Sequence, residues 1–69
     1  MTAVLLNGER QELPRGATVE AAIHEAGVEG EGRGVAVAVD GEVVPRGAWA
    51  RTELREGQEV EIVRAVQGG

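Results

Sequence analysis

Few residues in this 69-residue chain could do chemistry, and the sequence closes on the most informative of them. It reads Arg64-Ala65-Val66-Gln67-Gly68-Gly69, so the last carboxylate follows two residues without side chains. Five residues from Ala65 outward span at most about 17 Å when extended, and glycine lets the end enter a passage where any Cβ would clash. A terminal carboxylate with a pKa of about 3.5 is anionic at neutral pH and a poor electrophile. To react as an acyl group it must be activated by another protein. The competing reading is a frayed end or a truncation scar.

The remaining inventory excludes more chemistry than it allows. The chain has no Cys, Ser, Lys or Tyr. Disulfides and thiolate chemistry are therefore impossible, and His24, the one histidine, cannot assemble a tetrahedral His/Cys zinc site. Of the usual activated nucleophiles only three threonines and the carboxylates remain beside His24. His24 falls on the helix side away from the apolar stripe and reads as a solvated imidazole rather than a ligand or base. The carboxylate pairs Glu9/Glu12 and Glu59/Glu61 could do acid–base work. Alternating glutamates on a strand are more simply its wet face. Gly30-x-Gly32-x-Gly34 invites a phosphate-loop reading, but it precedes a strand instead of a helix N-terminus and its glutamates repel phosphate. An enzyme is not expected.

Seven arginines against twelve acidic residues leave a net charge of −5 and a pI near 4.7, which repels a nucleic-acid backbone. The longest apolar run, Val35 to Val39, is far below the roughly 20 residues of a membrane span. Met1 to Asn7 lacks the basic start and apolar length of a signal peptide. The expectation is a cytoplasmic protein with neither a nucleic-acid nor a membrane partner.

The elements that would position the terminus follow from periodicity and turn chemistry. Val4-Leu5-Leu6 runs into Asn7-Gly8, the strongest short hairpin signal, because both central residues of a type I′ turn need positive φ. Strands are predicted at about 3–6 and 9–13. Thr18 caps a helix whose stripe is Val19, Ala22, Ile23 and Ala26, with Glu20 in the positive first turn and Gly27 as the left-handed stop. The glycine-rich stretch from Val28 to Gly34 reads as a mobile loop. Val35-Ala36-Val37-Ala38-Val39 puts three valines on one face, Asp40-Gly41 makes a second turn, and Glu42-Val43-Val44-Pro45 returns as a short strand that Pro45, lacking a backbone donor, ends or confines to an edge. An irregular or single-turn segment around Trp49 follows, then a last strand, Glu59 to Val63, with Val60 and Ile62 on one side. Trp49, the only aromatic residue, reads chiefly as packing at the sheet edge, with an interface contact as the alternative. The sum is an α+β domain with a mixed four- to five-stranded sheet and one helix on one face. Ten of the 29 hydrophobic residues are alanines, so its core is thin.

These residues resemble the ubiquitin-like sulfur carrier proteins of the ThiS/MoaD family, and within it the thiamine-biosynthesis branch. The likeness rests on the Asn7-Gly8 turn, Thr18-Val19 at the helix start, Val35 to Val39, Val43-Val44-Pro45-Arg46 with Trp49 three residues on, Gly57 before the last strand, and terminal Gly68-Gly69. Val-Pro-Arg-x-x-Trp is the more discriminating part, because many ubiquitin-like tails share Gly-Gly. The resemblance implies a ubiquitin-like β-grasp over residues 1–65 and a flexible tail over 66–69. It further implies that a ThiF-type adenylating enzyme uses ATP to convert the Gly69 carboxylate to an acyl-adenylate. Sulfur from a cysteine desulfurase system then replaces AMP, leaving a thiocarboxylate at Gly69 for a ThiG-type thiazole synthase. Gly68 gives the tail clearance, and Trp49, Arg64 and Val66 are the candidate docking residues. The carrier itself would hold no metal or cofactor. Rival readings are a carrier for molybdopterin, tRNA thiolation or cysteine synthesis, and a ubiquitin-like interaction module or tag.

Overall fold

Two hairpins with the same turn chemistry frame the domain in the computed structural model, which describes residues 1–28 and 34–64. Strands β1 (Thr2–Leu6) and β2 (Glu9–Leu13) pair antiparallel with Leu6 opposite Glu9. Asn7 and Gly8 between them take φ of 51° and 85°. Strands β3 (Val35–Val39) and β4 (Glu42–Val44) repeat the device, with Asp40 at 50° and Gly41 at 84°. Those are the two positive-φ positions of a type I′ turn, whose twist matches the strands it joins.

Helix α1 (Val19–Glu25) lies between the hairpins in sequence. Thr18, in extended conformation, accepts a hydrogen bond on Oγ1 from the Ala21 amide at 3.3 Å, satisfying one of the helix's orphan donors. Replacing it, Thr18→Ala, is expected to lower stability by about 1 kcal/mol in urea unfolding. Val19, Ala22 and Ile23 are buried, whereas Ala26, expected to complete the stripe, is exposed. Ala26 is the C-cap, one residue past the last helical turn.

The segment after β4 folds into a 3₁₀ helix (Arg46–Arg51), for which Pro45 supplies the extended N-cap. Pro45 therefore lies just outside β4 and ends that strand, as its missing amide donor leads one to expect. Strand β5 (Glu59–Arg64) runs one residue beyond the expected end. The sheet order is β2-β1-β5-β3-β4, with β5 parallel to β1 and antiparallel to β3. The strand that leads into the C-terminal residues is thus the central one.

The core fills the single covered face. Val4, Leu6, Leu13, Val37, Val39 and Val60 meet Val19, Ala22 and Ile23 from the helix, with Ala17, Trp49 and Leu54 closing the sides. The chain before α1 is tied to the segment after the 3₁₀ helix by Val19 N–H to Thr52 O at 2.9 Å and Leu54 N–H to Ala17 O at 2.8 Å. The opposite face is open, and Val43, Val63 and Leu5 are 75%, 57% and 39% exposed. This is the α+β, ubiquitin-like β-grasp with five strands. The tail expected at 66–69, its boundary at residue 65, and loop residues 29–33 lie outside the described residues. Among the described residues no helix is long and apolar enough to cross a membrane.

Candidate functional site

The end of β5 is where the geometry and the terminal chemistry meet. On one side β3 holds β5 along its whole length, from Val39 opposite Val60 to Val35 opposite Arg64. On the other side β1 pairs only with Glu59 and Val60, because it turns away after Leu6. Arg64, the last described residue, is exposed. Gly68, Gly69 and the docking candidate Val66 lie outside the described residues.

Both hairpin turns reach β5 through side chains. Asp40 Oδ1 accepts from the Glu59 amide at 3.0 Å and Oδ2 from Gln58 Nε2 at 3.1 Å. Asn7 Oδ1 accepts from the Ile62 amide at 2.8 Å, while its Nδ2 donates to the Ile62 carbonyl at 3.3 Å. Sequence reasoning read Asn7 and Asp40 only as turn formers. No local signal could have found these bonds, since Asx side chains are legible only when they bond backbone about two residues on, and these partners lie 55 and 19 residues away.

The open face beside this end is apolar. Register places Ala36 beside Val63 and Ala38 between Val43 and Glu61. Val43 and Val63 are the most exposed of its large apolar side chains, and Glu59 and Glu61 continue the face toward β1. The Glu59/Glu61 pair thus sits on the solvated face. Glu9 and Glu12 are not brought together, because an odd spacing on a strand points side chains to opposite faces.

Trp49, a docking candidate from the sequence, is buried in the free chain. It is 5% exposed, packed in the core, with Nε1 donating to the Val44 carbonyl at 2.9 Å. The indole buries its rings in the core while its one polar atom is satisfied by a backbone carbonyl, as a buried tryptophan requires. The Arg46 guanidinium lies over its ring, 5.9 Å from the centroid. His24 is exposed and shares an open groove with Thr18, Arg46 and the edge of Trp49. Among the described residues no cluster of three His, Asp or Glu could hold a metal ion.

Known proteins with the same features place this arrangement in a family. The fold is that of the thiamine biosynthesis protein (ThiS) from Geobacter metallireducens, whose crystal structure superposes with a TM-score of 0.81. That match covers 99% of this chain and 100% of that one at 24% identity, a likeness of fold. In sequence the chain is 36% identical over 66 residues to the thiazole synthase of Paramagnetospirillum magneticum, covering 96% of this chain. It spans only 20% of the length of that curated relative. The model of the ThiS family matches residues 4–69, which include the terminal Gly68-Gly69, and the chain belongs to the ThiS family.

Proposed function

We propose that this chain is a sulfur carrier for thiazole formation in thiamine biosynthesis, working from the Gly69 carboxylate. The observation that carries this reading is the family match running through Gly68-Gly69, on a chain whose central strand leads directly into those residues. ThiS-family proteins are small sulfur carriers and not catalysts.

The chemistry suits a carrier because the terminal carboxylate needs a leaving group that it lacks. In the proposed sequence a ThiF-type adenylating enzyme directs a Gly69 oxygen to the α-phosphorus of ATP, releasing pyrophosphate. The terminal sulfur of a persulfide supplied by a cysteine desulfurase system then attacks the acyl carbon and AMP departs, leaving an acyl disulfide. A thiol reductant cleaves its S–S bond, is itself oxidised to a disulfide, and leaves the thiocarboxylate. That anion is the nucleophile offered to a thiazole synthase. The thiazole synthase relative supports this choice of acceptor, since a stretch of that enzyme resembles nearly the whole of this chain. ATP belongs to the activating enzyme, and the carrier needs no cofactor of its own.

In this reading the activating enzyme comes close to β5, because the five residues from Ala65 to Gly69 reach at most about 17 Å when extended. Val63 precedes Arg64 on the open face and is 57% exposed. A partner that closes on the terminus would cover it. Val63→Glu is therefore expected to raise the KM for adenylation roughly tenfold, about 1.4 kcal/mol of lost binding. Its thermal midpoint should move little, since the side chain is solvated in the free protein.

The direct test is the intact mass of the 69-residue chain after incubation with ATP, a ThiF-type enzyme and the sulfur donor system. A rise equal to the exchange of one oxygen for one sulfur, localised to Gly69, is the expected result. No change with an enzyme shown to be active on a known carrier would overturn the reading.

A further inference from the structure

Asn7 does more than close a hairpin. Strand β1 ends at Leu6, and the chain enters the turn at Asn7 with φ of 51°. The Asn7 backbone amide still donates to the Val60 carbonyl at 2.8 Å, one further step of the parallel ladder. In a continuing strand the next bond would run from the Ile62 amide to the carbonyl of Asn7 itself. Instead the side chain takes that place, its Oδ1 accepting from Ile62 N–H at 2.8 Å and its Nδ2 donating to Ile62 O at 3.3 Å. The carboxamide thereby pairs both backbone groups of a residue 55 positions away, where the register of β1 has run out.

The location matters because Ile62 is two residues before Arg64. Beyond Val60, β3 holds one side of β5, and the Asn7 carboxamide holds the other. Asp40, in the matching position of the second hairpin, bonds the start of the same strand at Gln58 and Glu59. The strand that carries the terminus is pinned at both ends by the first residue of each turn.

We propose that the Asn7 side chain is a positioning residue for the C-terminal residues, fixing where and in what direction the chain leaves β5 toward the activating enzyme. This role rests on the sulfur-carrier reading. The physical basis is that a reacting group presented from a fixed point pays less ordering entropy on binding than one presented from a frayed strand end.

Asn7→Gly separates the clamp from the turn, since glycine adopts the left-handed conformation freely and so keeps the hairpin. In this variant the Ile62 amide is expected to exchange with solvent roughly tenfold faster relative to Val60, the size of effect that follows from losing a hydrogen bond. The KM for adenylation should rise about three- to tenfold with kcat nearly unchanged, measured by ATP–pyrophosphate exchange well below the unfolding midpoint. Asn7→Asp keeps an acceptor for Ile62 N–H but sets an oxygen against Ile62 O, and should fall between the wild type and Asn7→Gly in both measurements. Unchanged Ile62 protection in Asn7→Gly would overturn the clamp. Lost protection with wild-type KM would overturn the positioning role, leaving Asn7 merely structural. A wild-type chain that is not adenylated would overturn the carrier reading beneath it, a result distinct from either.

Discussion

Removal of Gly69 is expected to abolish adenylation while leaving the thermal midpoint of the domain where it was. Every buried hydrophobic residue among those described lies at or before Val60, so the core loses nothing. The truncated chain still ends in a glycine carboxylate, but one set back by a residue, about 3.4 Å of extended chain. A misplacement of even about 1 Å can cost on the order of 100-fold in rate when reacting atoms must be aligned, so a whole residue should reduce adenylation below detection. Gly68→Val asks a different question, because it keeps the length and adds a β-branched side chain next to the reacting carbonyl. If the terminus passes through a channel shaped for a chain without Cβ atoms, adenylation should fall by at least about 100-fold. Pyrophosphate exchange measures both variants, and a normal rate for Gly68→Val would remove the channel from the mechanism. An interaction module using its sheet face would keep its partner after either change, which separates that reading from a carrier.

Local elements were legible because their signals are local. Asn7-Gly8 and Asp40-Gly41 declared both hairpins through the one turn type that needs two positive φ angles, and the Thr18 hydroxyl declared the start of α1. Ala26 fitted the helical period yet is exposed, because the helix ends one residue earlier and a period does not say where packing stops. Strand order was not legible. Nothing within Glu59 to Arg64 announces that this strand inserts between β1 and β3, since a ladder between segments far apart in sequence, 54 residues for β1 and 21 to 29 for β3, leaves no periodic mark on either. The same reason hid the bonds from Asn7 to Ile62. The site was half legible: Gly68-Gly69 announced the chemistry, but the strand that presents it became visible only in the sheet.

Trp49→Ala should be the most damaging single substitution in the domain, and its effect bears on function as well as stability. Truncating a buried tryptophan typically costs about 3–5 kcal/mol through lost transfer energy and the cavity left behind. A chain of this length holds only about 3–10 kcal/mol in total, at 0.05–0.15 kcal/mol per residue. Trp49→Ala should therefore be substantially unfolded near physiological temperature, seen as loss of the cooperative urea transition in far-UV circular dichroism. Trp49→Phe keeps an aromatic ring in the core but removes the Nε1 donor that serves the Val44 carbonyl. It should cost about 1–3 kcal/mol, part from volume and part from an acceptor left unmet. Below its own midpoint, Trp49→Phe should be adenylated at the wild-type rate, because the indole is buried in the core of the free chain. A folded Trp49→Phe with a raised KM would instead return Trp49 to the docking surface and place the partner against the 3₁₀ helix. Because Trp49 is the only aromatic residue, its fluorescence in the wild type reports on that same corner of the core. A shift of its emission on adding the adenylating enzyme, without any change in circular dichroism, would point to the same revision by an independent route.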